Sequence, residues 1–274
     1  MARVIAAVSG KGGVGKTTVA CNVGIKLAGM GHKVLLLDAD VGLRNLDIAL
    51  GIEEAVLYDF VDFIEGRCTM EQAIMSVKNQ PWLYFLPGCQ SKSDESLQFI
   101  TTEKMSQLYD DLRGYFEYII VDTPTGVDNT FKNAVSGVDG CIVVAEPSFA
   151  SVRDADRVIG LLETAGISEM YLVINRIRLD MIRQGKMLNL DDIIEILGID
   201  TIGLVPEDDN ILAMSGSSRD RYGAIDSTGF EAFLNIARRL CGEVVPIVDF
   251  DKKESVLSKM KSFVDNLFVD GCEK

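Results

Sequence analysis

The sequence has few of the residues that build metal clusters or disordered tracts. Its 274 residues include one histidine, His32, and six prolines. The six cysteines form no C-x-x-C pair, so we expect no zinc site of cysteine and histidine ligands. Six scattered thiols are ordinary for a reducing compartment. With 47% hydrophobic residues the chain can bury a full core, and extended disorder is not expected.

Long hydrophobic runs and excess positive charge are also missing. No apolar run approaches the roughly 20 residues of a membrane-spanning helix, and the apolar start at Val4–Val8 is too short for a signal peptide. There are 27 Lys and Arg against 41 Asp and Glu, a formal net charge of −14. Nucleic acid is therefore not an expected partner, since phosphate binding needs clustered lysine and arginine.

Short, nearly all-apolar runs alternate with longer helical patterns along residues 1–243. The runs typical of strands buried on both faces are Val4–Val8, Val34–Asp38, Leu83–Leu86, Tyr118–Asp122, Cys141–Ala145, Tyr171–Asn175 and Ile202–Val205. The helical patterns are Thr17–Met30, Glu103–Arg113, Ser151–Ala165, Leu190–Leu197 and Thr228–Cys241. This alternation predicts an α/β fold with one doubly wound, mostly parallel sheet. We assign residues 1–243 to this domain, 244–254 to a linker, 255–269 to an amphipathic helix and 270–274 to a tail.

A glycine-rich segment between the first strand and the first helix fits the phosphate-loop pattern G-x-x-x-x-G-K-[ST]. The expected nucleotide-binding residues of this segment are Gly10, Lys11, Gly12, Gly13, Val14, Gly15, Lys16, Thr17 and Thr18. Backbone N–H groups of such a loop face phosphate oxygens. We expect Lys16 to neutralise the β- and γ-phosphates and the Thr17 hydroxyl to hold Mg²⁺. Lys11 is not required by the pattern, and it is either a solvated lysine or a second cation that reaches phosphate across a dimer interface.

Aspartates stand at the ends of two predicted strands. Asp38 and Asp40 end the second strand, and Asp122 ends the fourth. The carboxyl ends of parallel strands lie beside the phosphate loop. We expect Asp122 to hold Mg²⁺ in the Walker-B manner, and Asp40 to orient the attacking water or Mg²⁺. The alternative for any one of them is a helix N-cap.

Base recognition has a weaker signal. Asn175 and Arg176 follow a late strand, but the aspartate of the guanine-reading pattern N-K-x-D is missing. Asn175 could hydrogen-bond the adenine edge, and Pro206 with Asp208 could form the opposite wall of the pocket. The expected nucleotide is therefore ATP rather than GTP.

These motifs resemble the deviant Walker-A ATPases of the MinD/ParA class, and specifically its septum-positioning branch. The resemblance covers residues 1–269, and its main carrying segments are 9–18, 38–47, 58–62, 131–134, 152–157, 185–188 and 205–208. It implies an ATP-dependent homodimer in which Lys11 of each subunit contacts the partner's nucleotide. Lys11, Lys16 and Asp40 would then be the catalytic residues of a slow, partner-regulated hydrolysis with ATP and Mg²⁺ as cofactors.

The resemblance also implies partners and a location. The partners are the division inhibitor MinC, a MinE-like activator or a polar anchor, and the cytoplasmic face of the cell membrane. Asp154 and Asp156 lie where such partners bind in the family; without the resemblance they would be a solvated helix face. Two segments, 123–128 and 214–223, depart from the family pattern at the rim of the nucleotide or dimer site.

The last helical pattern combines an apolar stripe with local positive charge. At 100° per residue an arc of about 140° contains Val256, Leu257, Met260, Phe263, Val264, Leu267 and Phe268. Over 252–269 four lysines stand against two acidic residues. We predict a helix that lies in the plane of an anionic membrane surface, and two copies in a dimer bind more firmly than one. The alternative is a helix packed on its own domain.

Other functions use the same fold. A ParA-type DNA-partition ATPase needs a basic surface, which the net charge disfavours. A flagellar-number regulator usually carries an extra segment before the first strand. An iron–sulfur reductase needs cysteines near the dimer axis, and residues 123–140 contain none. A binding scaffold without hydrolysis remains a further alternative.

Overall fold

The computed structural model describes residues 1–42, 45–52, 56–89, 100–214 and 227–247. These residues form one eight-stranded sheet in the order β3-β4-β2-β5-β1-β6-β7-β8. The strands are β1 (Arg3–Val8), β2 (Val34–Asp38), β3 (Met75–Ser76), β4 (Leu83–Leu86), β5 (Tyr118–Asp122), β6 (Gly140–Ala145), β7 (Met170–Ile177) and β8 (Asp200–Pro206). Every pairing is parallel except that of β3 with β4. The predicted doubly wound, mostly parallel fold is confirmed.

Eleven helices connect these strands within the described residues. They are α1 (Lys16–Gly29), α2 (Asn45–Leu50), α3 (Phe60–Ile64), α4 (Met70–Ala73), α5 (Thr102–Leu112), α6 (Asn129–Ala134), α7 (Phe149–Thr164), α8 (Leu179–Arg183), α9 (Leu190–Leu197), α10 (Asp209–Met214) and α11 (Thr228–Leu240). All five predicted helices are present. The sequence patterns did not reveal the other six or β3, because elements this short contain too few periods to be recognised.

The core has two halves, one on each face of the sheet. Alternate residues of a strand point to opposite faces, so in β1 Val4 and Ala6 pack on one side and Ile5 and Ala7 on the other. The first side is covered by α5, α7 and α9, and the second by α1 and α11. Helices on both faces explain why the strand sequences are apolar throughout.

The strand order brings the predicted site residues to one edge of the sheet. β1 lies at the centre between β5 and β6, and β2 lies beyond β5. Asp38 of β2 and Asp122 of β5 are register partners. The loop after β1 therefore emerges beside two carboxylates that are 84 positions apart in the chain.

The predicted linker begins within the described chain. After α11 the chain continues to Ile247 without regular structure. The Arg239 guanidinium donates to the carbonyl oxygens of Val245, Pro246 and Ile202, at 2.9, 2.6 and 2.6 Å. Arg239 thus attaches the start of the linker to β8, the edge strand.

The predicted amphipathic helix at 255–269 and most of the 214–223 segment lie outside the described residues. Among the helices of the described ranges, none is long and apolar enough to cross a membrane.

Candidate functional site

The glycine-rich segment forms a loop between β1 and α1. Gly13 and Gly15 have φ angles of 83° and 94°, a backbone region that glycine adopts without the steric cost of a Cβ. Gly15 is the N-cap of α1 and offers no side-chain cap. The first N–H groups of a helix have no partner inside the helix, so those of α1 are left for an anion such as phosphate.

Asn175, predicted to contact adenine, is hydrogen-bonded to the backbone of this loop. Its side-chain Nδ2 donates to the Val14 carbonyl oxygen at 2.8 Å, and Asn175 is buried. A Cβ on Gly15 would lie 2.2 Å from that Nδ2 atom. Arg176 follows with a φ of 56°, where the β7–β8 pairing loses register. Asn175 therefore has a structural role in the loop, and its contact with adenine stays a prediction.

Lys16 and Asp122 form a buried ion pair at the base of the loop. Lys16 Nζ lies 2.6 Å from Asp122 Oδ1, and the two side chains are 5% and 1% exposed. Asp38 is also buried and accepts the N–H groups of Asp40 and Leu46, at 3.0 and 3.2 Å. Asp40 is buried as well. Asp122 and Asp40 both repel a negative charge on Asp38, so acidic groups are concentrated at this edge of the sheet.

Burial and, to a smaller extent, repulsion from Asp122 raise the pKa of the Asp38 carboxyl to about 8. The backbone hydrogen bonds from Asp40 and Leu46 oppose this shift but do not cancel it. In the nucleotide-free protein this shift favours the protonated form of Asp38.

This shift predicts a pH dependence of stability. An acid whose pKa is higher in the folded than in the unfolded state stabilises less as pH rises. We expect the Tm of the nucleotide-free protein to fall from pH 5 to pH 8 and to level off above that, by about 2–4 °C for each kcal/mol lost. Asp38→Asn should flatten that dependence in thermal melts. An equally steep decline in Asp38→Asn would contradict the assignment.

The predicted magnesium ligands provide oxygen donors of the kind that Mg²⁺ prefers. Thr17 is the second residue of α1, Asp122 is the last residue of β5, and Asp40 lies just after the neighbouring strand β2. Within the described ranges no group of three or more His, Cys, Asp or Glu side chains could hold a metal. Mg²⁺ commonly binds through one or two carboxylates together with substrate phosphates and waters. The residues therefore fit a Mg²⁺ ion that arrives with the nucleotide.

Lys11 stands apart from Lys16. Its Nζ pairs with Glu146 Oε1, and Glu146 directly follows β6. The Ser148 hydroxyl donates to the same carboxylate at 3.3 Å. Lys11 is 39% exposed, so it lies at the outer side of the loop while Lys16 lies at its base. Sequence reasoning missed Glu146, although it lies at the carboxyl end of a predicted strand, as Asp40 and Asp122 do.

The predicted partner-binding segment touches the phosphate loop through its backbone. A Cβ on Gly10 would lie 2.3 Å from the Asp154 carbonyl oxygen, so only glycine allows this approach of α7. The Asp154 side chain is partly exposed and Asp156 is exposed. A shift of the phosphate loop at Gly10 would therefore displace the backbone of α7 at Asp154.

The remaining predicted pocket residues lie at the end of β8. Pro206 is the last residue of that strand and pairs with Ile177. The Asp208 carboxylate accepts the N–H groups of Asn210 and Gly229, at 2.9 and 3.3 Å. Burial raises the pKa of Asp208, but hydrogen bonds from Ser227, Asn210 and Gly229 outweigh it and lower the pKa. Asp208 thus joins the starts of α10 and α11, and its place in an adenine pocket stays a prediction.

Together these features define the class of protein. A glycine-rich loop leads from a central parallel strand into a helix, and a buried lysine at its base meets carboxylates from neighbouring strands. This is the architecture of a P-loop nucleotide-binding protein.

Comparison with known proteins specifies the family. Residues 5–219 match the CobQ/CobB/MinD/ParA nucleotide binding domain family, CbiA. The septum site-determining protein MinD of Bacillus subtilis (strain 168) is 41% identical over 266 residues, which cover 96% of this chain and 98% of that protein. The chain belongs to this family, whose MinD/ParA members are ATPases, and within it to the MinD group of septum-site-determining proteins.

Solved structures agree with this assignment. In the MinC:MinD cell division protein complex of Aquifex aeolicus, a chain with 39% identity superposes with a TM-score of 0.81, covering 90% of this chain and 99% of that one. MinD of Pyrococcus horikoshii OT3, solved with Mg-ADP, has 28% identity and a TM-score of 0.77, with 88% and 96% covered. The predicted family is confirmed.

Proposed function

We propose that this protein is an ATP-hydrolysing switch that dimerises when it binds ATP, attaches to the inner face of the cell membrane and recruits the division inhibitor MinC to position the septum. The observation that carries the proposal is that the two lysines of the phosphate loop differ in burial and in ion-pair partner. Lys16 is buried against Asp122, whereas Lys11 is partly exposed and paired with Glu146.

In the proposed site the chain's own groups bind and orient the nucleotide. The loop N–H groups and Lys16 bind the β- and γ-phosphates, and Asp122 holds Lys16 in place. Thr17, Asp40 and Asp122 would hold Mg²⁺, which supplies further positive charge at the phosphates when it is bound. Asp40 orients the attacking water. Hydrolysis then returns the ADP form.

The dimer is proposed to form through Lys11. Its ion pair with Glu146 keeps the ammonium group at the surface, and the phosphates of a partner's ATP would offer it a second anion. If Lys11 leaves Glu146 for the phosphates of the partner's ATP, its ammonium group is paired with an anion both before and after dimerisation. Phe149, at the start of α7, is 79% exposed, so the same side of the molecule offers apolar surface to a second copy.

Partner recruitment is proposed to follow from the contact between α7 and the phosphate loop. Gly10 lies against the backbone of Asp154, so loop closure on ATP can shift the segment that presents Asp154 and Asp156. MinC is the proposed partner because the A. aeolicus MinD structure is a complex with MinC. A MinE-like activator or a polar anchor would use the same surface.

Membrane attachment is assigned to the apolar stripe of 255–269. Each helix alone binds weakly, and a dimer joins two of them. Arg239 fixes the start of the linker on β8, so both helices would leave the dimer from defined positions. The protein would therefore be cytoplasmic with ADP and peripheral on the membrane with ATP.

A vesicle assay tests nucleotide, dimer and membrane together. With a non-hydrolysable ATP analogue, the protein should sediment with vesicles of anionic phospholipid at least about tenfold more than with ADP, because linked sites gain avidity. Phe263→Glu places a charge on the apolar stripe and should abolish sedimentation. Ser262→Glu adds the same charge on the polar side and should retain most of it.

Two outcomes would overturn the proposal. Equal sedimentation with ADP and with the ATP analogue would show that the nucleotide does not control membrane binding. Equal loss of sedimentation in Phe263→Glu and Ser262→Glu would show that the apolar stripe is not the membrane-binding surface. A gel shift with DNA and ATP tests the alternative of a DNA-partition ATPase, which would bind the DNA. We expect no shift.

A further inference from the structure

A second cluster of reactive groups lies at the opposite end of the sheet from the phosphate loop. His32 lies between α1 and β2, Glu117 precedes β5, Tyr118 begins β5, and Cys241 follows α11. These four residues come together where β2 and β5 start, whereas Asp38 and Asp122 stand where the same strands end.

The cluster forms a chain of hydrogen-bond distances that ends on a thiol. His32 Nδ1 lies 2.7 Å from Glu117 Oε2, and His32 Nε2 lies 3.5 Å from Cys241 Sγ. The Tyr118 hydroxyl donates to the same Sγ atom, also at 3.5 Å. The rings of His32 and Tyr118 pack edge to face with centroids 5.3 Å apart, which holds the imidazole in place. The Arg3 guanidinium donates to the Leu240 carbonyl oxygen at 2.7 Å and fixes the chain next to the thiol.

The hydrogen-bond partners of His32 determine which of its ring nitrogens carries the proton. A carboxylate only accepts hydrogen bonds, so His32 Nδ1 carries the proton that faces Glu117, and Nε2 of the neutral ring is an acceptor. Nε2 can therefore take the S–H proton, which leaves an imidazolium paired with Glu117 and a thiolate that accepts the Tyr118 O–H. Burial and the hydrogen bond to Cys241 raise the pKa of Tyr118 to about 12, so its hydroxyl remains a donor.

We propose that Cys241 is a modification site that exchanges with low-molecular-weight disulfides, with His32 as its base and Glu117 and Tyr118 as positioning residues. The thiolate attacks one sulfur of the small disulfide. A new S–S bond forms to Cys241 as the original S–S bond breaks, and the leaving thiolate takes the proton from the His32 imidazolium. The site is open to such a molecule, because His32, Glu117 and Cys241 are all at least partly exposed.

The site is independent of the proposed ATPase cycle. Cys241 lies three residues before the linker predicted at 244–254, so the adduct would sit close to the junction between the ATPase domain and the segment that leads to the predicted membrane helix.

Cys68 is the matched comparison within the same chain. It is also partly exposed, but burial and the neighbouring carboxylates of Asp62 and Asp59 raise the pKa of its thiol. A thiol reacts as its thiolate, so Cys68 should be slow. Cys21, Cys89 and Cys141 are buried and report on unfolding, since they react only when the fold opens.

The test is to incubate the full-length reduced protein with glutathione disulfide and follow the adduct at each cysteine by peptide mass spectrometry. Cys241 should react at least about tenfold faster than Cys68. His32→Gln should bring the Cys241 rate to that of Cys68, and the surface change Glu117→Gln should lower it. The three buried cysteines should stay unmodified in each case.

A Cys241 rate no higher than that of Cys68 would overturn the proposal, as would an unchanged ratio in both variants. If the buried cysteines react in His32→Gln, that variant has lost its fold and Glu117→Gln decides the question alone.

Discussion

Replacing Gly15 by alanine should lower the affinity for ATP by about 100-fold. The added Cβ would lie 2.2 Å from Asn175 Nδ2, and the residue would keep a φ of +94°. Left-handed strain and overpacking cost about 1–3 kcal/mol each. The empty loop can relax both costs by moving away from Asn175. The ATP-bound loop cannot, because its N–H groups must face the phosphates, so the costs appear in binding. Calorimetric titration with ATP and Mg²⁺ measures the loss.

Gly12→Ala is the matched control. The same methyl group at Gly12 would meet nothing within 4 Å, and the φ of Gly12 is outside the left-handed region. We expect its ATP affinity to stay within about threefold of the wild type, since no strain or overpacking arises. Equal losses in the two variants would show that the contact with Asn175 does not shape the loop.

Replacing Asp40 by alanine should slow phosphate release by about 10²–10⁴-fold, the range that a positioned acid–base group contributes. Asp40 is 8% exposed, and its backbone N–H donates to the Asp38 carboxylate, so the backbone at Asp40 is held at the carboxyl end of β2. Asp40→Asn keeps the size and removes the charge, and it should be nearly as slow. ATP affinity should change much less than the rate, because Lys16 and the loop N–H groups remain.

The measurement is phosphate release under saturating ATP and Mg²⁺, with vesicles present. Asp191→Ala removes an exposed aspartate at the start of α9 and should leave the rate unchanged. Wild-type rates in Asp40→Ala would favour a binding scaffold without hydrolysis over the proposed switch.

Much of this site was predictable because its signals are local in sequence. The phosphate loop is a continuous segment whose pattern carries its own context, a strand before it and a helix after it. Asp38, Asp40 and Asp122 were found because parallel strands place their carboxyl ends on one edge. The alternation of buried strands and amphipathic helices was enough for the fold class.

The sequence by itself therefore determined the α/β fold, the phosphate loop and the carboxylates beside it. Only the tertiary structure decided what Lys11, Asn175 and Cys241 contact: Lys11 contacts Glu146, Asn175 contacts Val14, and Cys241 contacts His32 and Tyr118. Those partners lie between 123 and 209 positions away. The physical reason is that secondary-structure propensity and hydrophobic periodicity depend on residues only a few positions apart, within one helical turn or one pleat of a strand. A hydrogen bond depends on the approach of side chains to within about 3 Å, and for distant residues that approach is set by how helices and strands pack.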